Sequence, residues 1–209
     1  MTLTLYEAPM SSAMPVLQVL GELDIPFERV TLDLAKRDQK QPDFLRLNPN
    51  GKVPTLVVDG TPMFEALAVM QYLGERFGVE RGLWPAADSP ARLEALSWSA
   101  WAYVTYGSAI RRLLQAEHER VPKEQHNAAQ ARAVREELGE LLTILNDRLA
   151  SRDYIVGSEF SLADVIVGSA VIWGTYCDIP VSDHSHVADW TARLRDRAAF
   201  QRVWGETVA

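Results

Sequence analysis

Two short stretches carry groups suited to meeting a ligand, and both lie in the first third of the chain. The first is Gly51-Lys52-Val53-Pro54-Thr55-Leu56 and the second is Phe64-Glu65-Ala66. A proline cannot donate to a sheet ladder, so Pro54 belongs at a strand's first positions, at an edge, or after a cis peptide. With a cis Val53–Pro54 bond, the N–H and C=O of Val53 would turn outward and pair with an extended peptide as a strand does. Glu65 and Ala66 open a helix whose first N–H groups have no intrahelical acceptor and whose dipole favours a carboxylate. The Glu65 side chain can then meet an ammonium group beside that carboxylate. A peptide-like ligand with an α-amino acid head suits both features, and glutathione is such a ligand.

The elements that position these groups follow from pattern. Thr2 to Tyr6 alternates, with Leu3 and Leu5 on one face, and reads as a short strand. Ala8 to Ser12 is a turn that can cap a helix, in which Val16, Leu17, Leu20 and Leu23 recur at helical spacing and Pro15 falls in the first turn. Ile25-Pro26 ends that helix, and Phe27 to Leu32 reads as a second strand, parallel to the first. A short helical patch (Phe44, Leu45, Leu47) precedes Asn48-Pro49-Asn50-Gly51, which closes it off. Val53 to Val58 is a buried strand, and Asp59-Gly60 signals a hairpin. The helix that starts at Glu65 takes its apolar face from Leu67, Met70, Tyr72, Leu73 and Phe77. The order βαβαββα is that of a thioredoxin-like domain over residues 1–78.

Residues 79–90 read as a linker by composition, with Gly82, Pro85, Ser89 and Pro90. Residues 91–209 read as an all-helical domain. A long helix runs from Ala91 to about Glu119, and the next keeps helical spacing through Val134, Leu138, Leu142 and Leu149. Ser161 and Asp164 have the spacing of a capping box. The helix they open, through Val165, Ile166, Val171 and Trp173, is apolar nearly all round and so belongs in the interior. Two short helices between Val187 and Trp204 pack back through Trp190, Leu194, Phe200 and Trp204.

Composition excludes several classes. The chain has 209 residues, 47% of them hydrophobic, and a net charge of −7. No run of Lys or Arg forms a basic stripe, so nucleic acid is not an expected partner. The one cysteine, Cys177, rules out a disulfide framework, a CxxC pair and a Cys-based zinc site. His118, His126, His184 and His186 lack metal-ligand spacing, so no metal is expected. No secretory leader is visible, and no apolar run approaches the roughly 18 residues of a membrane span. These features describe a soluble, cytoplasmic protein without membrane partners.

Gly51-Lys52-Val53-Pro54-Thr55-Leu56, followed by Phe64-Glu65-Ala66 and Gln71-Tyr72-Leu73, resembles the glutathione-binding half of cytosolic glutathione S-transferases. Ser161-Leu162-Ala163-Asp164 and the stretch from Trp190 to Val203 resemble the same family's helical domain. The resemblance therefore covers nearly the whole chain and implies a thioredoxin-like domain followed by a helical one. It also implies a homodimer, with an active site between the first domain and the helical domain. The reaction implied is attack of the glutathione thiolate on a small apolar electrophile, with glutathione as cosubstrate.

In serine-type bacterial members a serine shortly after the first strand stabilises the thiolate, and Ser11 fits that place. Ser12 sits where cysteine-type members carry their cysteine, and Tyr6 suits tyrosine-type members. Both serines can equally serve only to cap the first helix. A hydrogen bond to sulfur of about 1.5–3 kcal/mol lowers a thiol pKa by roughly one to two units, so no general base is required. Lys52 can reach the glycyl carboxylate, with Gln39 and Asn50 as weaker alternatives. Val53, Pro54, Glu65 and Ala66 complete the glutathione contacts. Met10, Tyr103 and Tyr106 are the expected lining of a second-substrate pocket, while Ser161 and Asp164 have a structural role. Two departures stand out: the family pattern usually has Ser where this chain has Ala66, and the usual Arg after the serine is replaced by Ala13-Met14-Pro15. The rival readings are a non-enzymatic binding protein on the same fold, or a glutathione-dependent isomerase, dehalogenase or ether-cleaving enzyme. A thiol–disulfide oxidoreductase is disfavoured, because the first domain holds no cysteine.

Overall fold

The computed structural model describes residues 1–205. They divide into two compact units: Met1–Asp88 together with the segment from Asp196 on, and Ser89–Arg195.

In the first unit β1 (Leu3–Glu7), β2 (Glu28–Thr31), β3 (Thr55–Val58) and β4 (Thr61–Phe64) form one sheet in the order β2-β1-β3-β4. β1 and β2 are parallel, which requires a crossover, and α1 (Met14–Leu23) supplies it. The β1–β3 and β3–β4 pairs are antiparallel. The β3–β4 turn holds both Asp59 and Gly60 at positive φ, as a tight hairpin requires. With α2 (Pro42–Leu47) and α3 (Ala66–Leu73), the order is the expected thioredoxin-like one. α1 ends at Leu23, two residues before Ile25, and Asp24 after it turns left-handed.

The apolar face of α3 differs from the expected one. It buries Ala66, Val69, Met70 and Leu73, while Leu67, Tyr72 and Phe77 are only half-buried. Ala66, Val69, Met70 and Leu73 follow the i, i+3, i+4, i+7 rule from the helix's first residue. The expected set started one position too late.

Residues 79–90 are not a free linker. Leu83 and Trp84 donate their N–H groups to the Gly78 carbonyl, and the Trp84 ring is buried over Gly74. A Cβ at Gly74 would come within 2.8 Å of that ring, so the glycine makes the seat. The tail from Asp196 also belongs to the first unit rather than the helical one. Arg197 grips Glu22 with two hydrogen bonds of 2.7 Å, Trp204 Nε1–H donates to Gln18 Oε1 at 3.1 Å, and Ala199 lies against Gly21. All three partners are on α1. A charge pair on a buried carboxylate and a closed apolar contact hold the tail there.

The second unit is helical. α4 (Pro90–Ala100) starts with a Ser89 cap, whose Oγ accepts the Ala91 N–H at 3.2 Å. Six residues of wider, π-type winding (Trp101–Tyr106) join it to α5 (Gly107–Glu117), so the expected long helix is continuous but not uniform. α6 (Ala128–Leu149), α7 (Leu162–Thr175) and α8 (Ser185–Arg195) follow. α7 is buried on nearly every side.

The start of α7 is a closed polar network. The Asp164 carboxylate accepts the Ser161 N–H (2.9 Å), the Ser161 hydroxyl (3.0 Å), the Ile155 N–H (2.8 Å) and the Trp190 Nε1–H (3.0 Å). It thus ties together the helix start, the preceding loop and α8. Burial pushes the Asp164 pKa up, and the four hydrogen bonds oppose that by favouring the carboxylate.

Among the described residues no helix is long and apolar enough to cross a membrane, and no group of three or more His, Cys, Asp or Glu side chains is placed to hold a metal ion.

Candidate functional site

Three segments leave the sheet at one rim. Tyr6 pairs with Thr55 and Thr55 with Phe64, so the loops after β1, before β3 and after β4 begin side by side. They carry Ala8–Ser12, Lys52–Pro54 and Glu65–Ala66 respectively. Register alone therefore brings together residues that lie more than forty positions apart in the chain.

The loop before β3 is fixed by Asn48, a buried side chain that spends its whole amide on it. Asn48 Nδ2 donates to the Lys52 carbonyl (2.8 Å) and to Thr55 Oγ1 (3.1 Å), and its Oδ1 accepts from the Asn50 N–H (3.0 Å). The Val53–Pro54 peptide that follows is cis. Gly51 sits at φ +57°, and a Cβ there would lie 2.8 Å from the Gln39 carbonyl. The short turn Asp38–Lys40 thus rests directly on Gly51, and Lys40 Nζ donates to the Asn50 carbonyl at 3.1 Å. Lys52 extends its own side chain into solvent. Two ammonium groups, Lys40 and Lys52, therefore flank one turn, with the unpartnered amide oxygen of Gln39 beside it. Reasoning from sequence missed Asn48 and Lys40. An Asn ahead of a turn Pro signals the first, whereas only the fold brings Lys40 against Asn50.

The two serines are placed differently. Ser11, half-buried, donates to the Ala8 carbonyl at 2.5 Å and accepts the Ala13 N–H at 3.2 Å, so it closes the turn that starts α1. Ser12 is exposed and donates to the Val53 carbonyl at 2.9 Å, across 41 residues of chain. Tyr6 is engaged in packing: its ring lies 5.6 Å from Phe44, within the small cluster of Ala8, Phe44 and Val53.

Among the described residues, six non-glycine residues have positive φ. Asp24, Asp59 and Asp178 are of a type that tolerates it. Met10 (φ 52°), Arg37 (φ 63°) and Glu65 (φ 70°) are not, and all three lie in the loops just described. Such conformations cost of order 1–3 kcal/mol each and persist only where the surrounding structure imposes them. Glu65 is exposed, without a side-chain capping bond, and its carbonyl receives the first intrahelical bond of α3 from Val69 at 3.0 Å. Ala66 is buried and offers no hydroxyl.

The expected second-substrate residues lie in both units, Met10 in the first and Tyr103 and Tyr106 in the second. Met10 is 50% exposed on the loop before Ser11. Tyr106 is fully buried, its ring stacked on Trp101 and its oxygen within 2.6 Å of a Cβ position at Gly174, so it has no surface with which to line a pocket. Tyr103 ends at Ser169, and burial of its hydroxyl pushes its pKa up to about 12. Tyr106 faces the interior of the helical unit, whereas Tyr103 is half-buried.

Two family models match this chain: the glutathione S-transferase N-terminal domain over residues 1–75 and the C-terminal domain over residues 100–198. Glutathione S-transferase GstB of Escherichia coli K12 is 31% identical over 191 residues, which are 90% of each chain. A second E. coli relative, the disulfide-bond oxidoreductase YfcG, is 28% identical and covers 93% of this chain and 91% of its own. A glutathione transferase of Burkholderia graminis, solved with two glutathione molecules per subunit, superposes with a TM-score of 0.84 at 29% identity, over 96% of this chain and 86% of that one. This chain belongs to the glutathione S-transferase family of enzymes.

Proposed function

We propose that the protein binds glutathione along the Val53 edge and activates its thiol with Ser11 for attack on a small apolar electrophile. The observation that carries this reading is the convergence at one sheet rim of the Lys52–Pro54 loop, the α3 start behind Glu65 and the serines ahead of α1. The cysteinyl backbone would pair with Val53. The γ-glutamyl carboxylate would meet the first N–H groups of α3, and its ammonium the Glu65 carboxylate. The glycyl carboxylate would lie between Lys52 and Lys40.

The chemistry asked of the protein is small. The thiol proton leaves to solvent, the sulfur anion accepts a hydrogen bond from Ser11, and its lone pair forms the new bond to carbon. On a substrate with a leaving group, that group departs with the electron pair of the broken bond; on an activated alkene, the carbanion takes up a proton from water. For Ser11 to serve, its hydroxyl rotates away from the Ala8 carbonyl. Met10, exposed beside it, is the proposed contact for the apolar part of the electrophile. The protein would act as a homodimer in the cytoplasm, where a single unpaired cysteine is at home.

The relative named as a disulfide-bond oxidoreductase favours a second reading on the same glutathione site. There the thiolate attacks an external disulfide, forms a mixed disulfide with glutathione and releases a thiolate. This chain would hold the sulfur but could not itself form the mixed disulfide in its first 88 residues, which lack cysteine.

Conjugation assays on Ser11→Ala decide between the roles of Ser11. A kcat lowered by about ten- to a hundredfold, with glutathione still bound, is the expected outcome. Full activity would move the thiolate role to Ser12, to Tyr6 or to the backbone alone.

A further inference from the structure

We propose that Ser12 is a positioning residue that braces the peptide-docking edge, leaving Ser11 to serve the sulfur. The inference rests on the glutathione reading above. Its starting point is the 2.9 Å hydrogen bond from Ser12 Oγ to the Val53 carbonyl.

A serine hydroxyl has one proton, and this one is donated to the group on which docking depends. A carbonyl oxygen has two lone pairs, so Val53 can keep Ser12 on one and accept a ligand N–H on the other. Ser12 therefore does not block the edge; it sets the direction of its acceptor. The residue before Val53 is held in the same way, since the Lys52 carbonyl accepts Asn48 Nδ2 at 2.8 Å. Asn48 braces the edge from within its own loop, and Ser12 braces it from the start of α1.

The contrast with Ser11 sharpens the assignment. The bond of Ser11 runs to Ala8, three residues back in the same turn, so giving it up leaves the relation of α1 to the β3 loop intact. Giving up the bond of Ser12 would remove the side-chain tie between the Val53 carbonyl and the start of α1, 41 residues apart. Only Ser11 can turn its proton to a ligand without loosening the docking edge. The two hydroxyls, adjacent in sequence, thus divide orientation and sulfur stabilisation between them.

The test uses Ser12→Ala, Ser12→Thr and Ser11→Ala in the full chain, with two independent readouts. The first is steady-state conjugation with glutathione: Ser12→Ala should raise KM for glutathione about tenfold, while kcat and its pH profile stay within twofold. Ser12→Thr, which keeps the hydroxyl, should restore KM, and Ser11→Ala should lower kcat and move the pH profile to higher pH. The second readout is hydrogen exchange of the ligand-free protein. Ser12→Ala should speed exchange of the amides at Thr55 and Leu56, and Ser12→Thr should not. A Ser12→Ala variant with lowered kcat and an alkaline-shifted profile would overturn the proposal, because Ser12 would then serve the sulfur. So would unchanged KM together with unchanged exchange. If the wild-type protein neither binds nor turns over glutathione, the glutathione reading fails, while the exchange comparison still decides whether Ser12 braces the edge.

Discussion

Serines stand at or just before the starts of α1 and α7, and the two starts use them in opposite ways. At α7 Ser161 and Asp164 are buried, and four donors converge on one carboxylate. At α1 Ser11 and Ser12 are half-buried and exposed, and each hydroxyl has a single acceptor. Removing a member of the first network strands several buried groups without access to water, so the network has one arrangement. In the second, Ser11 can exchange its acceptor for a ligand at little cost, while Ser12 keeps its bond to the Val53 carbonyl. Residue type does not separate the structural cap from the proposed reactive site here; burial and the number of dependent groups do.

The largest effect should fall on α7. Asp164→Ala strands the N–H of Ser161 and Ile155 and the indole N–H of Trp190, which should cost about 4 kcal/mol and lower Tm by roughly 10 °C. Glutathione affinity of the protein that remains folded should be unchanged. An unaltered Tm would break the comparison outright. The Ser11→Ala test comes next: the α1 start should show the reverse pattern, with a ten- to hundredfold loss of kcat and a Tm within about 2 °C of wild type.

A pH series sharpens the contrast further. The folded-state pKa of Asp164 lies above its ordinary 3.8, so the folded protein holds this proton more tightly than the unfolded chain. Its contribution to stability is therefore fully present below 3.8 and is lost as pH rises through the folded value. Wild type should lose ground to Asp164→Asn as pH rises from 3.8, seen as a narrowing or reversal of their Tm difference. A constant difference across that window would mean that the four hydrogen bonds outweigh burial. The smallest effect concerns α3: Ala66→Ser restores a hydroxyl to the helix start and should tighten glutathione binding about tenfold.

Much of this was legible in the sequence, because it rests on local rules. The strand and helix order follows hydrophobic period, the hairpin follows Asp59-Gly60, and the α7 cap follows the Ser161–Asp164 spacing. Other features depend on long-range packing and leave no local trace. Lys40 reaches Asn50 only because Gly51 admits the turn that carries it. Tyr106 is buried against Trp101 and Gly174, within six residues of altered winding that no propensity marks. The tail joined the first unit because Arg197 finds Glu22, a pairing across 175 residues. Trp84, in a stretch whose composition reads as linker, is buried because Gly74 leaves room for its ring. The positive φ of Met10 and Glu65 was hidden for a related reason: neither residue type favours it, so the surrounding fold imposes it.

The central claim is that the Val53 edge and the α3 start bind glutathione despite the alanine at position 66. Calorimetric titration of the wild-type protein with reduced glutathione, beside Ala66→Ser, tests it most directly. The account predicts one-site saturable binding per chain at micromolar to sub-millimolar concentration, tighter in the serine variant. No measurable heat from either protein, with both folded, would contradict it and leave the fold without its cosubstrate.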